Sequence, residues 1–245
     1  MKETKIIMGM PITVEIRDKN VDAEIFRKVF SYFQHVDEKF SPFKDTSEVT
    51  LINEGKIGES ERSEEMKEIF HLSEETKKIT DGYFDVISPE GKYNPSGLVK
   101  GWAIYNAAKT IKEAGLENFF VDAGGDIEAR GQYWKVGIRN PFKREENVKI
   151  LYIKDMGVAT SGTYIRGQHI YDSKNNKKTI SEILSLTVIG PNIYEADRFA
   201  TAAFAMGEKG IMFIEKLDGF EGYMIDKNGL GTETSGFEKY AKPIL

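Results

Sequence analysis

Hydrophobic residues along this chain follow two rhythms. Over residues 12–16 they alternate, with Ile12, Val14 and Ile16 against Thr13 and Glu15, the period of a half-buried strand. Residues 1–18 are read as the first strand on that basis. Over residues 22–40, Ile25, Phe26, Val29, Phe30, Phe33 and Val36 recur at three- and four-residue steps, which predicts an amphipathic helix. Ser47 is placed to cap a short helix carrying Val49, Leu51 and Ile52. Ser63 caps a longer one, with Glu64 and Glu65 at its positive end and Lys77 and Lys78 at its negative end. Met66, Ile69, Phe70 and Ile79 are expected to face inward, with His71 beside them in a structural role. Asp81-Gly82 ends that helix, and Tyr83-Phe84-Asp85 follows directly.

The chain is organised around residues 94–131. After the turn residues Asn94-Pro95-Ser96-Gly97, Leu98, Trp102, Ala103, Ala107 and Ile111 fall at helical spacing, and Gly115 stands where a helix end favours a left-handed residue. Phe119-Phe120-Val121 reads as a buried strand running into Gly124-Gly125-Asp126. Beyond residue 131 the pattern turns strand-rich. Residues 134–139 alternate, 149–153 form a further strand, and 157–163 are small and hydroxyl-bearing. Residues 173–178 make a polar turn, and 184–189 an apolar strand. A helix is expected over 195–207, continuing through 211–217, and a last strand over 222–226 ends at the Asn228-Gly229 turn. No internal repeat or linker interrupts the chain. The fold class predicted is α+β: one domain over residues 1–245, in up to two lobes, with mixed or antiparallel sheets packed with helices.

Composition narrows the chemistry. The 245 residues include no cysteine and only three histidines, His35, His71 and His169. Disulfides, thiolate nucleophiles and cysteine–zinc sites are excluded, and a metal site would be built mainly from oxygen, which suits Mg²⁺ or Ca²⁺. A net charge of −5 with no basic stripe argues against nucleic acid. No apolar run reaches the roughly 18 residues of a membrane helix, and the first residues lack a signal-peptide pattern. The expected location is the cytoplasm, unless a leader is missing from the chain. His35 is expected on the surface.

Three segments carry candidate chemistry. Lys100 at a helix start, with Gly124-Gly125 off a strand end, would suit a phosphate-bearing ligand, though ordinary turns explain the same residues. Phe43, after Ser41-Pro42, would stack on a flat ligand or else close the edge of the core. Asp197 and Thr201 lie four apart on an Ala-rich helix and so share a face. There they offer hard oxygen ligands, or else a helix-start carboxylate and a packed hydroxyl.

Taken in order, these segments resemble the ApbE-type flavin transferases, enzymes that attach FMN from FAD to a target protein. The resemblance runs from Met8-Gly9 through Phe40-Ser41-Pro42-Phe43, Ser47-Glu48, Asn53, Gly82-Tyr83-Phe84-Asp85 and Ser96-Gly97-Leu98-Val99-Lys100-Gly101. It continues through Ala123-Gly124-Gly125-Asp126, Thr160-Ser161-Gly162, His169-Ile170-Tyr171-Asp172 and Ala196-Asp197 with Thr201. It implies an FAD site using Met8, Phe43, Tyr83, Phe84, Asp85, Lys100, Gly124, Gly125, Ser161, His169 and Ile170. It implies Mg²⁺, with Mn²⁺ as the alternative, on the Gly97 carbonyl, the Asp197 carboxylate and the Thr201 hydroxyl. The implied reaction moves FMN onto a Thr or Ser hydroxyl of a target flavoprotein and releases AMP. His169 or Asp85 would take the proton, histidine as a residue type titrating near pH ~6.5. An FAD pyrophosphatase and a non-catalytic flavin-binding protein are the alternatives. A nicotinamide oxidoreductase is disfavoured, because no Gly-x-Gly-x-x-Gly follows a strand. Phe43 and Tyr83 depart from the family's usual Tyr and small residue, and Ser173 stands where the family has Pro.

Overall fold

The computed structural model describes residues 1–88, 90–143, 145–162, 171, 172, 174 and 178–241. Its strands are β1 (Lys2–Ile7), β2 (Met10–Ile16), β3 (Phe119–Ala123), β4 (Asp126–Ala129), β5 (Trp134–Arg139), β6 (Asn147–Ile153), β7 (Met156–Gly162), β8 (Tyr171–Asp172), β9 (Lys178–Thr179), β10 (Ile183–Gly190), β11 (Glu221–Asp226) and β12 (Gly231–Glu233). Its helices are α1 (Glu24–Phe40), α2 (Glu48–Asn53), α3 (Glu64–Ile79), α4 (Ser96–Glu113), α5 (Ile193–Ala205), α6 (Gly210–Glu215) and α7 (Glu238–Ala241). Eight strands form one sheet in the order β1-β2-β3-β4-β7-β10-β11-β12, and β5–β6 and β8–β9 form separate pairs. Every pairing among the described residues is antiparallel. The α+β reading stands, with the sheets antiparallel rather than mixed.

Alternation along each strand divides the core between the two faces of this sheet. On one face, Ile12, Val14, Val121, Ala159, Leu186 and Val188 pack with the buried stripes of α1, α4 and α5. On the other, Ile127, Ala129, Val158 and Ile189 meet Trp134, Val136, Leu151 and Ile153 of the β5–β6 hairpin and Phe237. Helix α4 is buried nearly all round, from Leu98 and Val99 to Ile111, because it touches α1, α3, α5 and the sheet. It ends as expected. Gly115 has φ +80°, its N–H donates to Lys112 O at 2.9 Å and that of Leu116 to Ile111 O at 3.4 Å, the pair of bonds that closes a Schellman end.

Four local expectations are corrected. Residues 1–18 are a hairpin, not one strand: Ile7 pairs with Met10 across a Met8-Gly9 turn. Helix α3 buries Met66, Ile69, Ser73 and Thr76. Ile79, one position off that stripe, is exposed, and so is His71. The buried Ser73 and Thr76 hydroxyls donate to the Ile69 and Leu72 carbonyls one turn back, both at 2.7 Å, which satisfies them inside. The segment after α5 does not continue it. Gly207, at φ +61°, opens a short 3-10 turn before α6.

Candidate active site

Because neighbouring strands run antiparallel, one end of the sheet collects the start of β2, the end of β3, the start of β4 and the end of β7. Met8, Gly124-Gly125, Asp126 and Ser161 therefore lie along one rim, although up to 153 positions separate them in sequence. The two turns touch: the Gly124 N–H donates to Pro11 O at 3.0 Å, and a Cβ on Gly124 would stand 2.9 Å from Met10 Sδ. Gly125 donates to Asp122 Oδ1 at 2.7 Å. Burial raises the Asp122 carboxyl above its ordinary range, that N–H bond lowers it in part, and the Asp126 charge raises it further.

Met8 and Gly9 have φ +56° and +69°, a two-residue turn with both central residues left-handed, which suits Asn-Gly far better than Met-Gly. A non-glycine residue there costs about 1 kcal/mol or more. Met8→Asn is therefore expected to raise the melting temperature by about 2–4 °C. If Met8 serves a ligand rather than the turn, the same variant will weaken FAD binding. A variant both more stable and fully competent in an FAD titration would remove Met8 from the site.

The centre of the site is the crossing of α4 and α5. Gly97 and Gly101, one turn apart, lie against Thr201 and Asp197, one turn apart in the opposite direction. A Cβ on Gly97 would be 3.1 Å from Thr201 Cγ2, and one on Gly101 would be 2.6 Å from Asp197 Cβ. The Gly101 N–H donates to Asp197 Oδ2 at 2.8 Å, and the Thr201 hydroxyl donates to Gly97 O at 3.3 Å. The Lys100 ammonium bridges Asp126 Oδ2 and Asp197 Oδ1, the latter at 3.5 Å. Asp126 Oδ1 accepts from the Thr160 N–H at 3.1 Å. Both carboxylates are 2% exposed. Two acids this deep need the cation between them.

Burial pushes Asp197 up to about 7. The Lys100 ammonium lowers it, the Asp126 charge raises it and the Gly101 N–H lowers it. A carboxyl raised on folding holds more protons folded than unfolded, here from its ordinary 3.8 to about 7, so stability falls as pH rises through that window. Thermal melts of wild type and Asp197→Asn over pH 4–8 should show wild type losing ground to the variant as pH rises. Parallel curves would refute the shift.

Other expected residues are less central. Phe84 is 2% exposed, and its ring edge would lie 3.5 Å from a Cβ on Gly97. The Thr80 hydroxyl accepts from the Phe84 N–H at 3.1 Å and so shapes the Tyr83-Phe84-Asp85 segment, which the sequence reading had no means to see. Lys174 Nζ stands 5.2 Å over the half-buried Tyr83 ring. Asp85 pairs with Lys77 at 3.2 Å and accepts from the Ile87 N–H at 2.9 Å. Ser161 is buried at the end of β7. Phe43 is 90% exposed, so it does not close the core edge. His35 is on the surface and bonds Glu65 at 2.9 Å. His169 and Ile170 lie outside the described residues. Asp126 is the residue the motif contained but its two glycines obscured.

The oxygen donors fit a divalent cation. Gly97 O, Thr201 Oγ1 and the Asp197 carboxylate line facing turns of two helices, and a cationic group, the Lys100 ammonium, already neutralises Asp197. Among the described residues no three His, Cys, Asp or Glu side chains cluster as metal ligands, so the set would combine one carboxylate with neutral oxygens. No helix among the described residues is long and apolar enough to cross a membrane.

The chain is similar to known proteins in sequence and in fold. A model of the ApbE family matches residues 8–91 and 88–224. An FAD:protein FMN transferase of Vibrio cholerae serotype O1 is 29% identical over 175 residues, covering 64% of this chain and 51% of its own length. The Salmonella typhimurium FAD:protein FMN transferase is 30% identical over 172 residues, covering 64% and 47%. The chain thus spans about half the length of the curated relatives it matches. The ApbE protein of Thermotoga maritima superposes with a TM-score of 0.87 at 20% identity over 99% of both chains. The flavin transferase ApbE of Vibrio cholerae does so at 0.84 and 20% over 98% of both. At that identity the likeness is one of fold.

Proposed function

The chain belongs to the ApbE family, and from that premise we propose that it is an FAD:protein FMN transferase. The observation that carries the reading is the α4–α5 crossing, where Lys100 joins Asp126 to Asp197 beside Thr201 and Gly97. In the proposed reaction, a Thr or Ser hydroxyl oxygen of a target flavoprotein attacks the FMN-side phosphorus of FAD. The P–O bond to the AMP phosphate breaks, AMP leaves, and the hydroxyl proton passes to a base.

Mg²⁺, or Mn²⁺ in its place, would be held by the Gly97 carbonyl, the Asp197 carboxylate and the Thr201 hydroxyl, and when bound it neutralises and orients the pyrophosphate. Lys100 keeps two buried carboxylates compatible with an anionic substrate. Met8, Gly124 and Gly125 form the rim on which FAD would lie, Phe84 backs Gly97, and Ser161 closes the far strand. Tyr83, and the exposed ring of Phe43, offer stacking faces. His169 and Asp85 are the candidate bases.

Incubation with FAD, Mg²⁺ and an acceptor-containing lysate tests the reading. Flavin fluorescence on denatured protein together with AMP is the expected result. AMP with free FMN alone would make the protein a pyrophosphatase, and FAD bound unchanged would make it a carrier. The base is separable by pH. His169→Ala should remove an ionisation from the pH–rate profile at saturating FAD if histidine takes the proton. If the rate recovers with its profile intact, the role passes to Asp85.

A further inference from the structure

Helix α5 is seated on one rung of the sheet. Glu128 of β4 and Gly157 of β7 are cross-strand partners, and Ile193, the first residue of α5, meets both. Its N–H donates to Glu128 Oε2 at 2.7 Å, and a Cβ on Gly157 would run into Ile193 N and Asn192 C. Glu128 is 1% exposed, and its other oxygen meets the Arg130 guanidinium. Arg130 goes on to donate to Asp155 O at 2.9 Å and to Pro191 O, in the loop entering α5, at 3.3 Å. The Gly131 N–H closes on Asp155 Oδ1 at 2.8 Å. A carboxylate at a helix start is also favoured by the aligned peptide dipoles.

We propose that Glu128, held by Arg130, is a positioning residue for the site, setting the height of α5 on the sheet so that Asp197 and Thr201 meet Gly101 and Gly97. The inference rests on the reading that Asp197 and Thr201 bind a divalent cation. The hydrogen-bond and ion-pair partners of Glu128 are Ile193 and Arg130, not Asp197 or Thr201. Glu128 anchors the N–H four residues before Asp197, about 6 Å along the helix. Two positions earlier on the same face of β4, Asp126 meets Lys100 of α4. One short strand thus registers both helices whose crossing makes the site. With the first N–H of α5 released, the helix is free to shift against α4, and the ligand oxygens lose their common focus.

Mn²⁺ titrated into the protein without FAD, followed by the paramagnetic resonance of free Mn²⁺, tests this directly. Glu128→Ala and Arg130→Gln should weaken binding about tenfold, the scale of an outer-shell metal partner. Glu128→Gln, which keeps an acceptor for the Ile193 N–H, should weaken it less. Val49→Ala, a fully buried position on α2, should lower the melting temperature and leave Mn²⁺ affinity unchanged. Wild-type affinity in a folded Glu128→Ala protein overturns the proposal, as does an equal loss in Val49→Ala. If Glu128→Ala does not fold, Glu128→Gln and Arg130→Gln carry the same test, and wild-type affinity in both overturns it. If Asp197→Ala binds Mn²⁺ as wild type does, the cation reading itself falls and takes this proposal with it. Loss in Asp197→Ala without loss in the Glu128 and Arg130 variants isolates failure to the positioning role.

Discussion

Asp197→Ala is expected to lower AMP release from FAD by about 10³-fold or more while leaving the chain folded. The size follows from what the carboxylate would do. A metal clamp on a transferring phosphoryl group contributes several kcal/mol of charge stabilisation, and each 1.4 kcal/mol is a factor of ten in rate. Folding should survive because the wild-type carboxylate costs stability where it stands: it is buried, and burial has already pushed it up to about 7. Its removal leaves Lys100 paired with Asp126, so no ammonium is stranded. FAD binding should weaken far less than turnover, since the rim residues are untouched. AMP release measured at saturating FAD, with circular dichroism on the same sample, decides the point. Wild-type turnover in the variant, or in wild type with excess chelator, would strike the metal from the proposal.

The amphipathic stripe of α1, the Ser47 and Ser63 caps and the Gly115 helix end were legible in the sequence because each depends on residues close together in the chain. Ser47 and Ser63 accept from the N–H groups of Thr50 and Met66 as their spacing predicts. The pairing of Asp197 with Thr201 was legible for the same reason, being one helical turn. What the sequence could not express is which turns face each other. Lys100, Asp126 and Asp197 are drawn together by the order of strands in the sheet, and no local rule links them. Asp126 lay unassigned because a carboxylate after two glycines reads as turn chemistry until a lysine from another helix is seen beside it. Nothing near Glu128 in the sequence marks it as buried; both faces of its strand are covered, so its burial shows only in the fold. The Met8-Gly9 hairpin was missed because neither residue before the glycine nor the flanking pattern carries the usual Asn-Gly or Asp-Gly signal.

Gly101→Ala is expected to damage the site as severely as removing Asp197, and to cost stability as well. A Cβ there would stand 2.6 Å from Asp197 Cβ, 2.9 Å from the Ile193 carbonyl and 3.0 Å from Asp197 Oδ2. Two of those three atoms cannot be moved by rotating a flexible side chain, because Ile193 O is backbone and a Cβ is fixed to its own. The helices must therefore part, in a core packed at close to crystal density, at a cost of about 1–3 kcal/mol. Parting also breaks the Gly101 N–H to Asp197 Oδ2 bond, which leaves a buried carboxylate oxygen short of a donor. Gly97→Ala is the internal comparison. Its nearest neighbour is Thr201 Cγ2 at 3.1 Å, a methyl that can yield by a few tenths of an ångström, so its stability loss should be under about 1 kcal/mol. The two variants make the same chemical change one turn apart on one helix. Urea unfolding should rank Gly101→Ala well below Gly97→Ala, and AMP release should follow the same order. Equal stability for the pair would mean that α4 and α5 do not cross at Gly101 as described, and the geometry of the whole site would have to be rebuilt.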